Sequence, residues 1–305
     1  MRFAVVGDST LDIVVVPDRR GRHAGDVPAQ IRLGPGGQAA NVAVRLARRG
    51  ESVRLVAPLA DDLAGRLLRD ALEEDGVSIA PLPARRSAAV AVLLDAGGER
   101  TMLSDRQPLA AAPAAAALAD VDWVHCSGYA LLDDATGDAL AAALGARPSS
   151  VRLSVGGGSL PPERALVARF RARLRSAAPQ VCLLSRSEAG AMIGRMSPSA
   201  LEAAAQLATL ADVVVVTAGA DGSAATLGGE LMTAPPAVTP GAVVDATGAG
   251  DAYAAALIAR LAAASWPPRP GQLRRAMAAA GRLGARVARV AGAQGRVAGE
   301  RRRAP

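Results

Sequence analysis

Val243-Val244-Asp245-Ala246-Thr247-Gly248-Ala249-Gly250-Asp251-Ala252-Tyr253-Ala254-Ala255-Ala256 is the stretch on which the reading of this chain turns. An apolar pair leads into a polar turn, three small residues follow, and Asp251 opens an alanine-rich run of good helix propensity. The pattern predicts a loop feeding the N-terminus of a helix. The first N–H groups of a helix lack internal acceptors and the helix dipole is positive there, so small residues at that point make an anion hole. A carboxylate beside such a hole repels phosphate unless a neutral hydroxyl lies between them. Asp251 is then placed to take the hydroxyl proton, while the N–H groups of Gly248, Ala249 and Gly250 stabilise a phosphoryl group in transfer. The competing reading is a plain helix start with an acid in its first turn.

Composition narrows the chemistry. The chain has 305 residues, enough for one large domain or two, and its core is built from Ala, Val and Leu because only 2% of residues are aromatic. Net charge is +7, and every basic residue is Arg. The arginines are scattered, with no interleaved aromatics to stack bases, so no nucleic-acid partner is expected. Without Lys there is no Walker A motif and no Schiff base. Two histidines, His23 and His125, exclude a multi-His metal site and leave little for a Ser-His-Asp hydrolase. Cys126 and Cys182 sit in apolar runs and are expected as free buried thiols. No run is apolar and charge-free enough to span a membrane, and an acid follows Met1 too soon for a secretory signal, so a cytoplasmic protein is expected.

In chain order, residues 3–7 read as a first buried strand and 11–16 as a second, with Asp12 inside it. Asp12 reads either as a ligand for hydroxyl groups or as a turn acid. Residues 17–28 are loop-like. A short run at 31–33 leads through Gly34-Pro35-Gly36-Gly37 into a helix that ends at Gly50, with Val42, Ala43 and Leu46 on one face. Gly36 and Gly37 again offer bare N–H groups, and Asn41 both donates and accepts, which suits a polyol. Gly34-x-Gly36-x-x-Ala39 also fits the loose dinucleotide fingerprint, but Pro35 and the weak lead-in argue against it. Segments 88–95 and 99–104 flank Gly97-Gly98 as a hairpin. From 121 onward short apolar strands alternate with helices, and a hairpin crosses Gly228-Gly229. The expected fold class is α/β, with a mostly parallel sheet covered on both faces and a small β-sheet lid from about 11–33 and 86–106. Ligands in such sheets bind at the carboxyl ends of the strands, where Asp12, Gly36, Gly37, Glu188, Gly219 and Asp251 all fall.

The stretch 245–253 closely resembles the C-terminal signature of the ribokinase-like, or PfkB, carbohydrate kinases. Gly36-Gly37-x-x-x-Asn41 resembles their N-terminal signature, and Thr217-Ala218-Gly219-Ala220-Asp221-Gly222 their nucleotide loop. The resemblance covers residues 2–294. It implies a three-layer α/β/α sandwich with a lid, one kinase domain over 1–298, and a disordered tail at 299–305. It implies Asp251 as the base on an acceptor hydroxymethyl group, with the N–H groups of Gly248, Ala249 and Gly250 as the anion hole. Asp12, Gly36, Gly37 and Asn41 would hold sugar hydroxyls, with Arg106 reaching in from the lid. Thr217, Gly219, Gly222, Ser185 and Thr247 would line the nucleotide site, together with Gly248 and Gly250. ATP and Mg²⁺ are the implied cofactors, with Glu188 on the metal side and K⁺ as a candidate monovalent cation. Apart from the resemblance, an exposed lid sheet favours a homodimer through the lid, which would cover its edges.

Three positions depart from the family pattern. Its Asn-x-x-Glu stands here as Ser185-Arg186-Ser187-Glu188, its acidic turn after the strand at 151–155 reads Gly156-Gly157-Gly158, and an adenine-side polar position is Gly281. Three functions therefore stay open: an ATP-dependent kinase of a neutral sugar, ribose-like or fructose-like; a nucleoside kinase; and a non-catalytic sugar or nucleotide sensor on the same fold.

Overall fold

The computed structural model describes residues 1–17, 26–94, 100–116, 118 and 120–300. The expected Gly97-Gly98 turn, His23, most of the 17–28 loop and the tail from 301 lie outside the described residues. In chain order the elements are β1 (Arg2–Val6), β2 (Thr10–Pro17), β3 (Ala29–Gly36), α1 (Gln38–Ala47), β4 (Ser52–Pro58), α2 (Leu63–Glu74) and β5 (Ser78–Leu82). They continue with β6 (Ala88–Leu94), β7 (Arg100–Asp105), α3 (Ala111–Ala116), β8 (Trp123–Cys126), α4 (Gly128–Leu132), α5 (Gly137–Gly145), β9 (Arg152–Val155) and α6 (Arg164–Ala177). The last part holds β10 (Val181–Ser185), α7 (Arg186–Ile193), α8 (Ala200–Gln206), β11 (Val213–Thr217), β12 (Ser223–Leu227), β13 (Glu230–Ala234), α9 (Ala249–Ala262) and α10 (Pro270–Val287).

The large sheet has nine strands in the order β13-β12-β11-β10-β9-β8-β1-β4-β5. Every neighbouring pair from β5 to β11 is parallel, and β12 and β13 close one edge as an antiparallel hairpin. Successive side chains of a strand point to opposite faces. Phe3, Val5, Val213 and Val215 accordingly pack into one core with α1, α9 and α10, while Ala4, Val6, Val214 and Val216 pack into a second core on the opposite face. Two buried faces explain why the inner strands are continuous apolar runs. Alanines of α9 from Ala252 to Ala256 are all buried, so small side chains let this helix sit deep between its neighbours. Cys126 and Cys182 are free and buried, as expected. Among the described residues no helix is long and apolar enough to cross a membrane.

The second sheet has four strands in the order β3-β2-β6-β7 and forms the expected lid. Its register puts Asp12 opposite Gly34 and Val90, and Ile13 opposite Leu33 and Ala91, with Ala91 in turn opposite Leu103. Asp12 and the buried Val90 thus share one face, and Ile13, Leu33 and Leu103 share the other, where Leu33 and Leu103 are exposed. Gly34, Pro35 and Gly36 belong to β3, an edge strand paired antiparallel with β2, and not to the turn after a parallel strand. That placement removes the dinucleotide fingerprint reading and suits Pro35, whose missing donor is tolerated at an edge.

The sequence reading missed β5, α3 and α4, and it began a helix at 133 where α5 begins at Gly137. The expected tail also starts too early. The Glu300 side chain is nearly buried and its Oε1 accepts a 2.7 Å hydrogen bond from Arg45, so residue 300 is packed against α1.

Candidate active site

The turn before α9 folds as its glycines require. Gly248 is the N-cap with φ of 76°, a left-handed backbone that other residues adopt at a cost, and a Cβ there would lie 2.7 Å from Ala293 Cα. Asp245 holds the turn, accepting from the N–H of Thr247 at 2.9 Å and of Gly292 at 3.0 Å. Thr247 is therefore a turn residue and lines neither of the two cavities described below. Ala249 N–H donates to Ala246 O at 3.2 Å, because the tight turn folds it back. Of the three expected anion-hole donors, Ala249 is thus engaged locally, Gly248 lines neither cavity, and Gly250 lines both.

Asp251 lines a cavity of about 260 Å³ together with Gly250, Thr217, Ser185, Glu188 and His125. Burial pushes its carboxyl up to about 7, the Asn41 hydrogen bond and Arg45 oppose that rise, and Asp8 and Glu188 add to it. A carboxylate poised near neutrality is suited to taking and returning a proton. Asn41 Nδ2 donates to Asp251 Oδ2 at 2.8 Å, and Asn41 Oδ1 accepts from Gln294 Nε2 at 3.0 Å. The Asn41 amide keeps one N–H and one lone pair for a ligand.

The lid side gathers Asp8, Asp12, Gly36, Gly37 and Arg106. Gly37 is the N-cap of α1 with φ of 94°, and a Cβ there would lie 2.7 Å from Asp8 O. A Cβ on Gly36 would lie 2.1 Å from Asp12 Oδ2, so only glycine lets the strand pass this carboxylate. Burial pushes the Asp12 carboxyl above its ordinary pKa, and a 2.7 Å bond from Thr10 Oγ1 and the charge of Arg106 oppose the rise. Arg106 donates to Asp8 Oδ2 at 2.5 Å and lies 3.8 Å over the Tyr129 ring. Asp8 also accepts from Ser127 Oγ at 2.9 Å and from the Gln38 N–H at 3.2 Å. Sequence reading passed over Asp8; its only signal was an acid directly after the glycine that ends the first strand.

A second cavity of about 360 Å³ is walled by Thr217, Gly219, Gly222 and Gly250, with Pro235, Ala237, Met277 and Ala288 as apolar lining. Gly281 opens into it, with Ala237 Cβ 3.8 Å from where its own Cβ would be. Both cavities share Thr217, Gly250 and Tyr253, so they meet at the mouth of α9. A flat apolar slot joined to an anion hole has the shape of a nucleotide site.

Ser185 and Glu188 form a capping box at the start of α7. Glu188 Oε2 accepts from Ser185 N–H and Oγ, both at 2.8 Å, and Oε1 accepts from Ser159 N–H at 2.7 Å. The serine thus fixes the Glu188 carboxylate at the helix start. Gly157 is explained by the same carboxylate, since a Cβ there would lie 2.1 Å from Glu188 Oε2, whereas a Cβ on Gly158 would lie 2.6 Å from the Tyr129 backbone nitrogen. Among the described residues no group of three His, Cys, Asp or Glu side chains forms a metal cage. With both oxygens committed to the protein, Glu188 fits an outer contact to a hydrated, phosphate-bound cation.

The chain matches the model for "pfkB family carbohydrate kinase" over residues 2–298. It is 30% identical to a fructokinase of Klebsiella pneumoniae over 283 residues, covering 86% of this chain and 85% of that protein. It is 29% identical to an aminoimidazole riboside kinase of Salmonella typhimurium, covering 86% of this chain and 81% of that one. The structure of a Vibrio cholerae fructokinase solved with fructose, ADP and calcium ion superposes with a TM-score of 0.76, at 23% identity, covering 96% of this chain and 94% of that one. With the family signatures converging on one cleft, and the match running nearly end to end, this chain belongs to the pfkB family of carbohydrate kinases and is a phosphotransferase acting on a sugar or nucleoside.

Proposed function

We propose that the protein transfers the γ-phosphoryl group of ATP to a primary hydroxyl of a neutral, fructose-like or ribose-like sugar. The observation that carries this reading is Asp251 in the first turn of α9, directly after Gly250, which lines both cavities. The sugar lies between Asp8, Asp12 and Asn41 under the lid, and its hydroxymethyl group faces Asp251. Asp251 takes the hydroxyl proton as the new O–P bond forms and the bond to the bridging oxygen of ADP breaks. Gly250 holds the charge on the phosphoryl oxygens. Mg²⁺ bound to the phosphates supplies charge neutralisation, with Glu188 reaching it through water. The lid excludes water, which suppresses hydrolysis of ATP.

Two acids at the lid side favour a neutral polyol over a sugar acid, because the carboxylate would meet like charge. A nucleoside acceptor is the second reading, favoured by the likeness to the aminoimidazole riboside kinase. Tyr129, the ring nearest the lid, already carries Arg106 on its face, which leaves less room to stack a base. The apolar outer face of the lid, with Ile31, Leu33 and Leu103 exposed, fits a second copy of this chain and supports a homodimer. An ATP-dependent role supports a cytoplasmic location. Release of ADP across a panel of fructose, ribose and purine ribosides tests the substrate class. Turnover with a neutral sugar is expected, and turnover confined to nucleosides overturns that choice.

A further inference from the structure

The turn that follows β9 runs Gly156-Gly157-Gly158-Ser159. Its left-handed backbone falls on the serine: Ser159 has φ of 51°, and none of the three glycines before it takes a positive φ. A side chain in that region costs energy, and the cost persists only where the surroundings hold it. Ser159 is held on two sides. Its N–H donates to Glu188 Oε1 at 2.7 Å, and its Oγ lies 2.5 Å from the Tyr129 hydroxyl. A glycine would adopt the same backbone without the strain, but it has no hydroxyl to offer Tyr129.

Tyr129 is itself fixed. It stands in α4, whose start packs on the same turn. Gly128 N–H donates to Gly157 O at 3.0 Å, and a Cβ on Gly158 would lie 2.6 Å from the Tyr129 backbone nitrogen. The Tyr129 ring lies 3.8 Å under the Arg106 guanidinium. At the other end of the chain of contacts, the bonds from Ser185 to the Glu188 carboxylate belong to the cap of α7 and move with that helix. The bond from Ser159 comes from a different element, so it sets the carboxylate against the opposite wall of the cavity that holds Asp251.

We propose that Tyr129 is a positioning residue for the phosphotransfer: its hydroxyl pins Ser159, and the Ser159 N–H then holds Glu188 where it meets the hydrated, phosphate-bound cation. The inference rests on the reading of Glu188 as the metal-side acid. Ser159 and Glu188 line the cavity and Tyr129 does not, so Tyr129 acts through the turn. Either hydroxyl can donate in the Tyr129–Ser159 pair, and the bond is lost when either oxygen is removed.

The test compares the protein with Tyr129→Phe, Ser159→Gly, the two together, and Glu188→Gln. Three quantities are measured: the Mg²⁺ concentration at half-maximal rate, the calorimetric affinity for ADP with and without Mg²⁺, and Tm. Tyr129→Phe keeps the ring under Arg106 and removes one oxygen. It is expected to raise the Mg²⁺ requirement about fivefold, as the loss of one hydrogen bond does. The affinity for ADP falls by the same factor with Mg²⁺ and stays unchanged without it, and the KM for the sugar does not move. Ser159→Gly keeps the left-handed turn at no steric cost and gives the same rise. The double variant goes no further than either single one, because the same bond is lost in each. A merely structural pair lowers Tm and leaves the Mg²⁺ requirement where it was, which overturns the proposal. An unmoved requirement in Glu188→Gln overturns the metal-side reading and this inference together. A requirement raised in Glu188→Gln but unmoved in Tyr129→Phe and Ser159→Gly overturns this inference alone.

Discussion

Arg106, just past the last lid strand, reaches across to the end of β1 and donates to Asp8 Oδ2 at 2.5 Å. The Tyr129 ring, 3.8 Å under the guanidinium, holds it from the opposite side. One side chain therefore joins lid and body over the sugar site. Arg106→Gln keeps a donor but loses the charge and the fork. The expected result is a KM for the sugar raised roughly tenfold, with a smaller fall in kcat and a higher ratio of ATP hydrolysis to sugar phosphorylation. Steady-state kinetics with and without sugar measure both.

Gly157 lies against the carboxylate of Glu188, with room for hydrogen but not for a methyl group. Gly157→Ala is expected to push Glu188 off Ser159 and to raise the Mg²⁺ concentration at half-maximal rate by about tenfold. Magnesium titration of the initial rate checks this. An unchanged magnesium requirement would separate Glu188 from the cation.

Asp251 also links stability to pH. Burial pushes its folded-state pKa up from 3.8 to about 7, so between those values the folded protein holds a proton that the unfolded chain has released. Stability from this group is complete below about pH 4 and is lost as the pH rises toward 7. Asp251→Asn removes the titrating group. The Tm of Asp251→Asn minus that of the unchanged protein should therefore grow from pH 4 to pH 7 and level off above it. A difference that is flat over this range would contradict the buried, raised carboxylate.

The outer lid face carries Leu33 opposite Ile13, and Ala91 opposite Leu103, with Leu33 62% exposed and Leu103 59% exposed. Leu33→Glu places a charge in the middle of this surface. Light scattering is expected to show a dimer that the variant converts to monomer. A monomer before substitution would remove the lid interface.

The alternation of buried strands and helices was legible because β11 and its neighbours are continuous apolar runs of strand length, and because Gly50 and Gly76 mark helix ends. The helix-mouth motifs at Gly37 and Gly248 were legible because both demand left-handed backbone. β5 escaped because Pro81 and its edge position blur the strand pattern. α4 escaped because five residues hold too little periodicity. Glycines 156–158 read as a lost acid, and only the fold shows Glu188 lying against Gly157. Gln294 and Glu300 meet partners 253 and 255 residues away, a separation that no local pattern encodes. Asp8 was missed for a simpler reason, since a lone acid after a glycine has no spacing to mark it.

The central claim is that Asp251 is the base in phosphoryl transfer from ATP to a sugar hydroxymethyl group. ³¹P NMR of a mixture of the protein, ATP, Mg²⁺ and a neutral sugar measures it directly, with Asp251→Asn run beside it. The account predicts a sugar phosphomonoester signal that grows with ADP in the unchanged protein and falls at least about 10²-fold in Asp251→Asn while ATP and sugar still bind. An Asp251→Asn protein that makes the phosphomonoester at an undiminished rate would contradict it.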